Sequence, residues 1–186
     1  MKKALWFDVE TTGLDPKKND IIQLACMVEI DGDIKADFES KIKPFDPLNV
    51  EPKALQVNGL KMDDIMKYPE PFEVLKKFTS FLTEYIDPFD KQDKFAPCGF
   101  NVQFDIDFLS NFFRKCGSNF YGSFFNYKSV DPLRILHVMD YEDKINLSNY
   151  KLSTCCSHFG IKIDAHEALS DIRATKILYN TLRGVI

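Results

Sequence analysis

Asp8 and Glu10 end the apolar run Leu5-Trp6-Phe7 and are separated by a single residue. Side chains alternate faces along a strand, so residues two apart point the same way and the two carboxylates converge on one spot. Thr11, Thr12 and Gly13 then turn the chain away. Paired acids at a strand end suit a hard divalent cation, which prefers oxygen ligands. The same pair would also serve as solvated surface beside a turn. Two downstream blocks bear on that choice. Asn101-Val102-Gln103-Phe104-Asp105 follows the apolar run Phe95–Phe100, and His166-Glu167-Ala168-Leu169-Ser170-Asp171 lies near the C-terminus. Each block opens or closes a predicted element, where sites usually lie.

Asn101 and Asp105 are four apart, a spacing that shares one helix face, and Asn101 is suited to cap that helix. Phe104 and Phe108 pack the helix down, which aims Asp105 at the sheet end; the alternative is an exposed acid favoured by the helix dipole. In the third block, Leu169, Ile172 and Ile177 anchor a final helix over roughly residues 167–182, while Asp171 faces the site. His166 precedes that helix. Its ordinary pKa of about 6.5 makes it a capable base at neutral pH, although a histidine there also serves as a surface or capping group. His137 and His158 have no acid motif around them and read as structural.

The elements that must position these groups follow from periodicity. Residues 3–8 read as a buried strand, and Ile21–Ile30 and Ile34–Lys43 as a second and third joined by a turn at Asp31-Gly32-Asp33. Pro44, Pro47 and Pro52 bracket an irregular stretch, with short helical turns at residues 54–57 and 62–66. Phe72, Leu75, Phe78, Phe81, Leu82 and Tyr85 recur at helical spacing between Pro71 and Pro88. Phe95–Phe100 reads as a fourth strand and Phe124–Val130 as a fifth, with a helix after Pro132 and a short one over Lys151–Phe159 stopped by Gly160. Strands first, then strands alternating with helices, give a mixed α/β sheet with helices on both faces. Open sheets of this kind bind ligands at strand ends, where Asp8 and Glu10 lie.

At 186 residues, 45% hydrophobic and 28% charged, the chain reads as one globular domain over residues 1–186. A net charge of −4 gives no bulk positive field, which argues against a non-specific nucleic-acid binder living on phosphate contacts. It leaves room for an enzyme whose bound cations meet a phosphate. Five cysteines, an odd number with no Cys-x-x-Cys pair, argue against a disulfide framework or zinc ribbon. They fit a reducing, cytoplasmic setting. No signal peptide or membrane span is read.

In this order and spacing, Asp8-x-Glu10, Asn101-x-x-x-Asp105 and His166-x-Ala168-x-x-Asp171 resemble the DEDDh, or DnaQ-like, 3′–5′ exonucleases. That family includes proofreading subunits of bacterial DNA polymerases, ribonuclease T and oligoribonuclease. The resemblance runs from Leu5 to about Leu182 and implies a ribonuclease H-like fold with a five-stranded mixed sheet. It implies two divalent ions, Mg²⁺ or Mn²⁺. Asp8 would bridge them, Glu10 and Asp171 would hold the first, and Asp105 would support the site partly through water. His166 would be the general base. The tyrosine subclass needs Tyr where this chain has Glu167, so the histidine subclass is the match.

Two cations roughly 4 Å apart stabilise the attacking and leaving oxygens of an in-line phosphodiester displacement. The implied substrate contacts are Thr11 and Thr12 through their backbone, Leu14 as an apolar wedge, and Val57, Asn58, Asn101 and Phe104 around the last nucleotide. For Leu14, Val57 and Phe104 core packing stays an open alternative. Two positions depart from many relatives, which carry His where this chain has Asn58 and Phe100.

The expected activity is release of 5′-mononucleotides from the 3′ end of single-stranded nucleic acid, with DNA favoured and RNA possible. One alternative is a proofreading or interaction subunit of a DNA polymerase; the end of the chain at Ile186, just past the last helix, reads as leaving no docking tail. The other is a short-RNA exoribonuclease.

Overall fold

A computed structural model describes residues 1–163 and 168–184. Strand β1 (Lys3–Thr11) pairs antiparallel with β2 (Ile21–Ile30), and β2 with β3 (Asp33–Lys41). The short β4 (Ala96–Cys98) runs parallel to β1, giving a four-stranded sheet in the order β3-β2-β1-β4. The β2–β3 turn falls where the sequence places it, with Asp31 and Gly32 both at positive φ.

The expected fifth strand is a correction. Residues 124–130 meet β4 through isolated parallel bridges alone, Phe95 to Phe125 and Cys98 to Val130. Between them, the Asn126 side chain accepts from the Lys128 backbone N–H and turns the chain outward. Pro97 has no N–H to donate, so a ladder there would be broken on the β4 side too. Tyr121–Phe124, read as loop and strand, is a short helix α5.

Helices cover both faces because β1 is apolar on both. Leu5, Phe7 and Val9 point into a large core with α3 (Pro71–Thr83) and α4 (Gln103–Lys115). Trp6 points the other way, onto Ala168 and Ile172 of α8 (Ala168–Arg183). Beyond Trp6, α6 (Pro132–Tyr141), α7 (Leu152–His158) and α8 share a further cluster around Leu136, Cys155 and Leu178. Of the remaining helices, α1 (Pro52–Val57) ends at Asn58, which bonds the Thr11 carbonyl at the end of β1, and α2 (Met62–Ile65) follows it. None of the described helices is long and apolar enough to cross a membrane.

Candidate active site

Asp8 and Glu10 share the Trp6 face of β1, so they look toward α8. A register shift between Glu10 and Thr11 marks a bulge at the strand's end, where extra twist re-aims side chains. Asp171 sits in the first turn of α8, beside the Ile172 that packs on Trp6. One narrow cleft is lined by Asp8 and Asp171 together with Gly99, Phe100 and Thr175. A second cavity of about 430 Å³ is lined by Glu10 and Asp171 with Gln23, Asn58 and Leu60.

Asp105 comes from the opposite face of the sheet. It is 4% exposed in the first turn of α4, and its Oδ1 accepts the Val9 backbone N–H at 3.1 Å. β4 ends opposite Trp6, so Val9 has no strand neighbour on that edge, and the carboxylate takes the place of the missing carbonyl. Gly99 makes this approach possible. A Cβ there would stand 2.9 Å from the Phe7 carbonyl oxygen, so only glycine lets the chain pass from β4 into α4 so close to β1.

The four acids act on one another electrostatically. Burial, then Glu10, then Asp171 push the Asp8 carboxyl up to about 8. Burial, then Asp8, hold the Asp105 carboxyl well above the usual carboxylate range, against the opposing bond from Val9. Four hard oxygen donors that oppose one another's ionisation fit a divalent cation, which would favour the charged form of each. Among the described residues no group of three or more His, Cys, Asp or Glu side chains is closed into a ready cage.

The residues predicted to touch substrate divide. Thr11, Leu14, Val57, Asn58 and Phe104 line, with Glu10 and Lys53, a cavity of about 260 Å³ beside the acids. Leu14 and Val57 are exposed at 79% and 75%, which removes core packing as their role. Phe104 is half-buried and packs on Phe108 with ring centroids 4.7 Å apart. Asn58 ends α1 and donates its Nδ2–H to the Thr11 carbonyl at 3.2 Å, tying that helix to the end of β1.

Thr12 and Asn101 do not line that cavity, and Asn101 is not the N-cap of α4. Thr12 is fully buried. Its N–H goes to the Asp20 carbonyl, its own carbonyl accepts from Glu51, and its hydroxyl accepts from the Asp20 N–H. It braces the loop and has no backbone group left for a ligand. Asn101 is exposed at φ 56°, one residue before the N-cap Val102; its carbonyl accepts the Phe104 N–H at 3.1 Å, and no side chain caps the start of α4. Its N–H is donated to Asp131 Oδ1. His166 and Glu167 lie outside the described residues. His137 and His158 are exposed, with their rings against Tyr150 and Phe159.

Sequence reading passed over Lys53, whose position in a proline-bracketed stretch carries no signal, and Gly99, whose need shows only once β1 lies beside it.

The α/β architecture, a mixed sheet with helices on both faces, is consistent with the DEDD-type exonucleases. Residues 5–179 match the RNase_T exonuclease family, and the chain belongs to it. Its curated relatives include the PolC-type DNA polymerase III of Bacillus cereus, 30% identical over 182 residues, and that of Halalkalibacterium halodurans, 31% identical over 170. These matches cover 97% and 91% of this chain but 11% and 10% of the polymerases.

Among solved structures, Escherichia coli exonuclease I in complex with a dT13 oligonucleotide superimposes with a TM-score of 0.79 at 18% identity. That match covers 98% of this chain and 41% of the other. The zinc-ion-bound form of the E. coli exonuclease I–single-stranded DNA complex gives a TM-score of 0.81 at 18% identity, over 100% and 41% of the two chains. The chain thus spans about a tenth of the PolC-type relatives and about two fifths of these exonuclease I chains. Exonucleases of this family use divalent metal ions.

Proposed function

We propose that residues 1–186 form a single metal-dependent 3′–5′ exonuclease domain of the histidine subclass, acting on single-stranded nucleic acid. The observation that carries this is the gathering of Asp8, Glu10, Asp105 and Asp171 at one end of β1, from both faces of the sheet, beside an apolar-walled cavity. Asp8, Glu10 and Asp171 would hold Mg²⁺ or Mn²⁺, with Asp105 supporting them. Such ions acidify a water and stabilise charge on the oxygens of a phosphodiester under attack.

The remaining work falls to this chain's own side chains. Leu14, Val57 and Phe104 supply apolar contact to a terminal base without hydrogen-bonding its edge, which tolerates any base. One Asn58 amide N–H is donated to the Thr11 carbonyl, which fixes the wall of the slot. His166 is the proposed base that takes the proton from the attacking water. The 3′-oxygen of the preceding nucleotide then leaves, and a 5′-mononucleotide is released.

The deciding experiment uses matched single-stranded DNA and RNA, labelled at either end, with Mg²⁺, Mn²⁺ or EDTA. Stepwise shortening of 5′-labelled strands and immediate release of a 3′ label, both abolished by EDTA, are expected on DNA. Shortening from the 5′ end, or activity in EDTA, would overturn the proposal. A second reading, proofreading within a polymerase assembly, is favoured by the similarity to PolC-type polymerases. Co-purification with a replicative polymerase would support it.

A further inference from the structure

We propose that Lys176, Glu29 and Trp6 form a positioning clamp that fixes where Asp171 stands against Asp8 and Glu10, and so sets the affinity of the site for a divalent cation. The inference rests on the metal-site reading above.

One carboxylate oxygen, Glu29 Oε2 on β2, accepts from two donors. The Trp6 indole Nε1–H reaches it at 2.6 Å, and Lys176 Nζ, on α8, reaches it at 2.6 Å. Lys176 also donates to the Gly32 carbonyl at 3.4 Å, at the β2–β3 turn. The side chains of Lys176 and Glu29 are 16% and 19% exposed, so water screens the pair only in part.

Apolar contact alone does not set the axial position of α8. The helix lies on the sheet largely through Ala168 and Ile172 against Trp6, and such non-directional contacts permit sliding. The clamp supplies direction. Its charge-assisted bonds tie one point on α8 to β2 and, through the indole, to β1. Tyr179 closes the arrangement, with its ring centroid 5.4 Å from that of Trp6.

The consequence for the site is geometric. Trp6 lies two residues before Asp8 on the same face of β1, and Lys176 lies five residues after Asp171 on one rigid helix. At a rise of about 1.5 Å per residue, the tether sits about 7.5 Å from the acid along the axis. A shift at Lys176 therefore moves Asp171 by the same amount. Divalent-cation sites lose affinity steeply when supporting groups are removed, by about 10–100-fold.

The test compares the full chain with Lys176→Met and Lys176→Arg. Mn²⁺ binding is measured by calorimetry without nucleic acid, alongside fluorescence of Trp6, the only tryptophan in the chain. Lys176→Met is expected to bind Mn²⁺ about tenfold more weakly and to shift the Trp6 emission. Lys176→Arg, which can still donate to Glu29, should restore both. In activity assays the Met variant should need more metal for half-maximal rate yet approach the wild-type kcat when saturated. Wild-type Mn²⁺ affinity in a folded Lys176→Met would overturn the clamp, whatever happens to its melting temperature. Should that variant not fold, Glu29→Gln, which keeps an acceptor for the indole, makes the same comparison. Absence of Mn²⁺ binding to the wild type would instead refute the metal-site reading.

Discussion

Asp8→Asn should make the metal-free protein more stable while destroying its function. The Asp8 carboxyl is pushed from 3.8 up to about 8, by burial first and then by Glu10 and Asp171. A raised folded-state pKa means that the charged form is penalised in the native state. The corresponding stability is fully present below about 3.8 and is lost as pH rises toward 8. At pH 7 most of that loss has occurred. Taking about 1.4 kcal/mol per pH unit above 3.8 sets a ceiling of about 4 kcal/mol. Asp8 keeps partial solvent contact, so screening reduces the figure to about 1–2 kcal/mol.

Asparagine has nearly the same shape and cannot ionise, so the variant escapes the penalty. For a chain of this size the gain corresponds to a melting point about 3–6 °C higher. Thermal unfolding in EDTA at pH 7 measures it. The advantage should shrink toward pH 4.5, where the wild-type carboxyl is largely protonated. Adding Mn²⁺ should reverse the order, because a ligand that binds the native state stabilises only the protein able to bind it. A variant less stable than wild type in EDTA at pH 7 would show that Asp8 is not under electrostatic stress, and the crowded-carboxylate account would be wrong.

Four other outcomes follow from the same geometry. Asp105→Ala leaves the buried Val9 N–H without its acceptor and should cost about 1–3 kcal/mol in urea unfolding, whereas Asp105→Asn keeps an acceptor, cannot ionise, and should be at least as stable as wild type. Equal losses in the two would refute the acceptor role. Gly99→Ala should destabilise by about 1–3 kcal/mol, since the new methyl would meet the Phe7 carbonyl at 2.9 Å. Lys53→Ala should raise KM on single strands and reduce the slope of log affinity against log salt by about 0.7, the value of one lost phosphate contact, while kcat stays unchanged; an unaltered slope removes Lys53 from the substrate path. His166→Ala should lower kcat by about 10²–10⁴ with Mn²⁺ binding retained, and near-normal turnover would dismiss it as the base.

What the sequence made legible was local. The period-two pattern of β1 put Asp8 and Glu10 on one side, and Asp31-Gly32 placed the β2–β3 turn. Leu75, Phe78 and Leu82 in α3, and Phe108, Leu109 and Phe112 in α4, marked the face each buries, whereas Phe72, read on the same face, is 60% exposed. What it hid depended on partners distant in the chain. The apolar residues of 124–130 read as a strand, but a ladder also needs donors on the neighbour, and Pro97 withholds one. Asn101 has the chemistry of a cap, yet the turn out of β4 places it at positive φ one residue too early. Thr12 was expected at the substrate because it follows the acids. Only the fold reveals that Asp20 occupies it, and that Asp20 is itself held by Lys115 at 2.6 Å.

The shortness of β4 ties fold to chemistry. A longer parallel strand would have continued past Trp6, paired with Val9 and filled the edge of β1 beside the acids. By stopping at Cys98, it leaves a buried N–H that must find an acceptor, and α4 delivers Asp105 to it from the far side of the sheet. The acid therefore satisfies a backbone requirement and supplies charge to the site through one contact. Asp171 arrives from the other side on α8, and neither helix has to cross the sheet. A sheet end bounded by a short parallel strand is thus what lets carboxylates from both layers meet. The cost is the mutual repulsion that raises the Asp8 and Asp105 carboxyls, and a bound cation would relieve it.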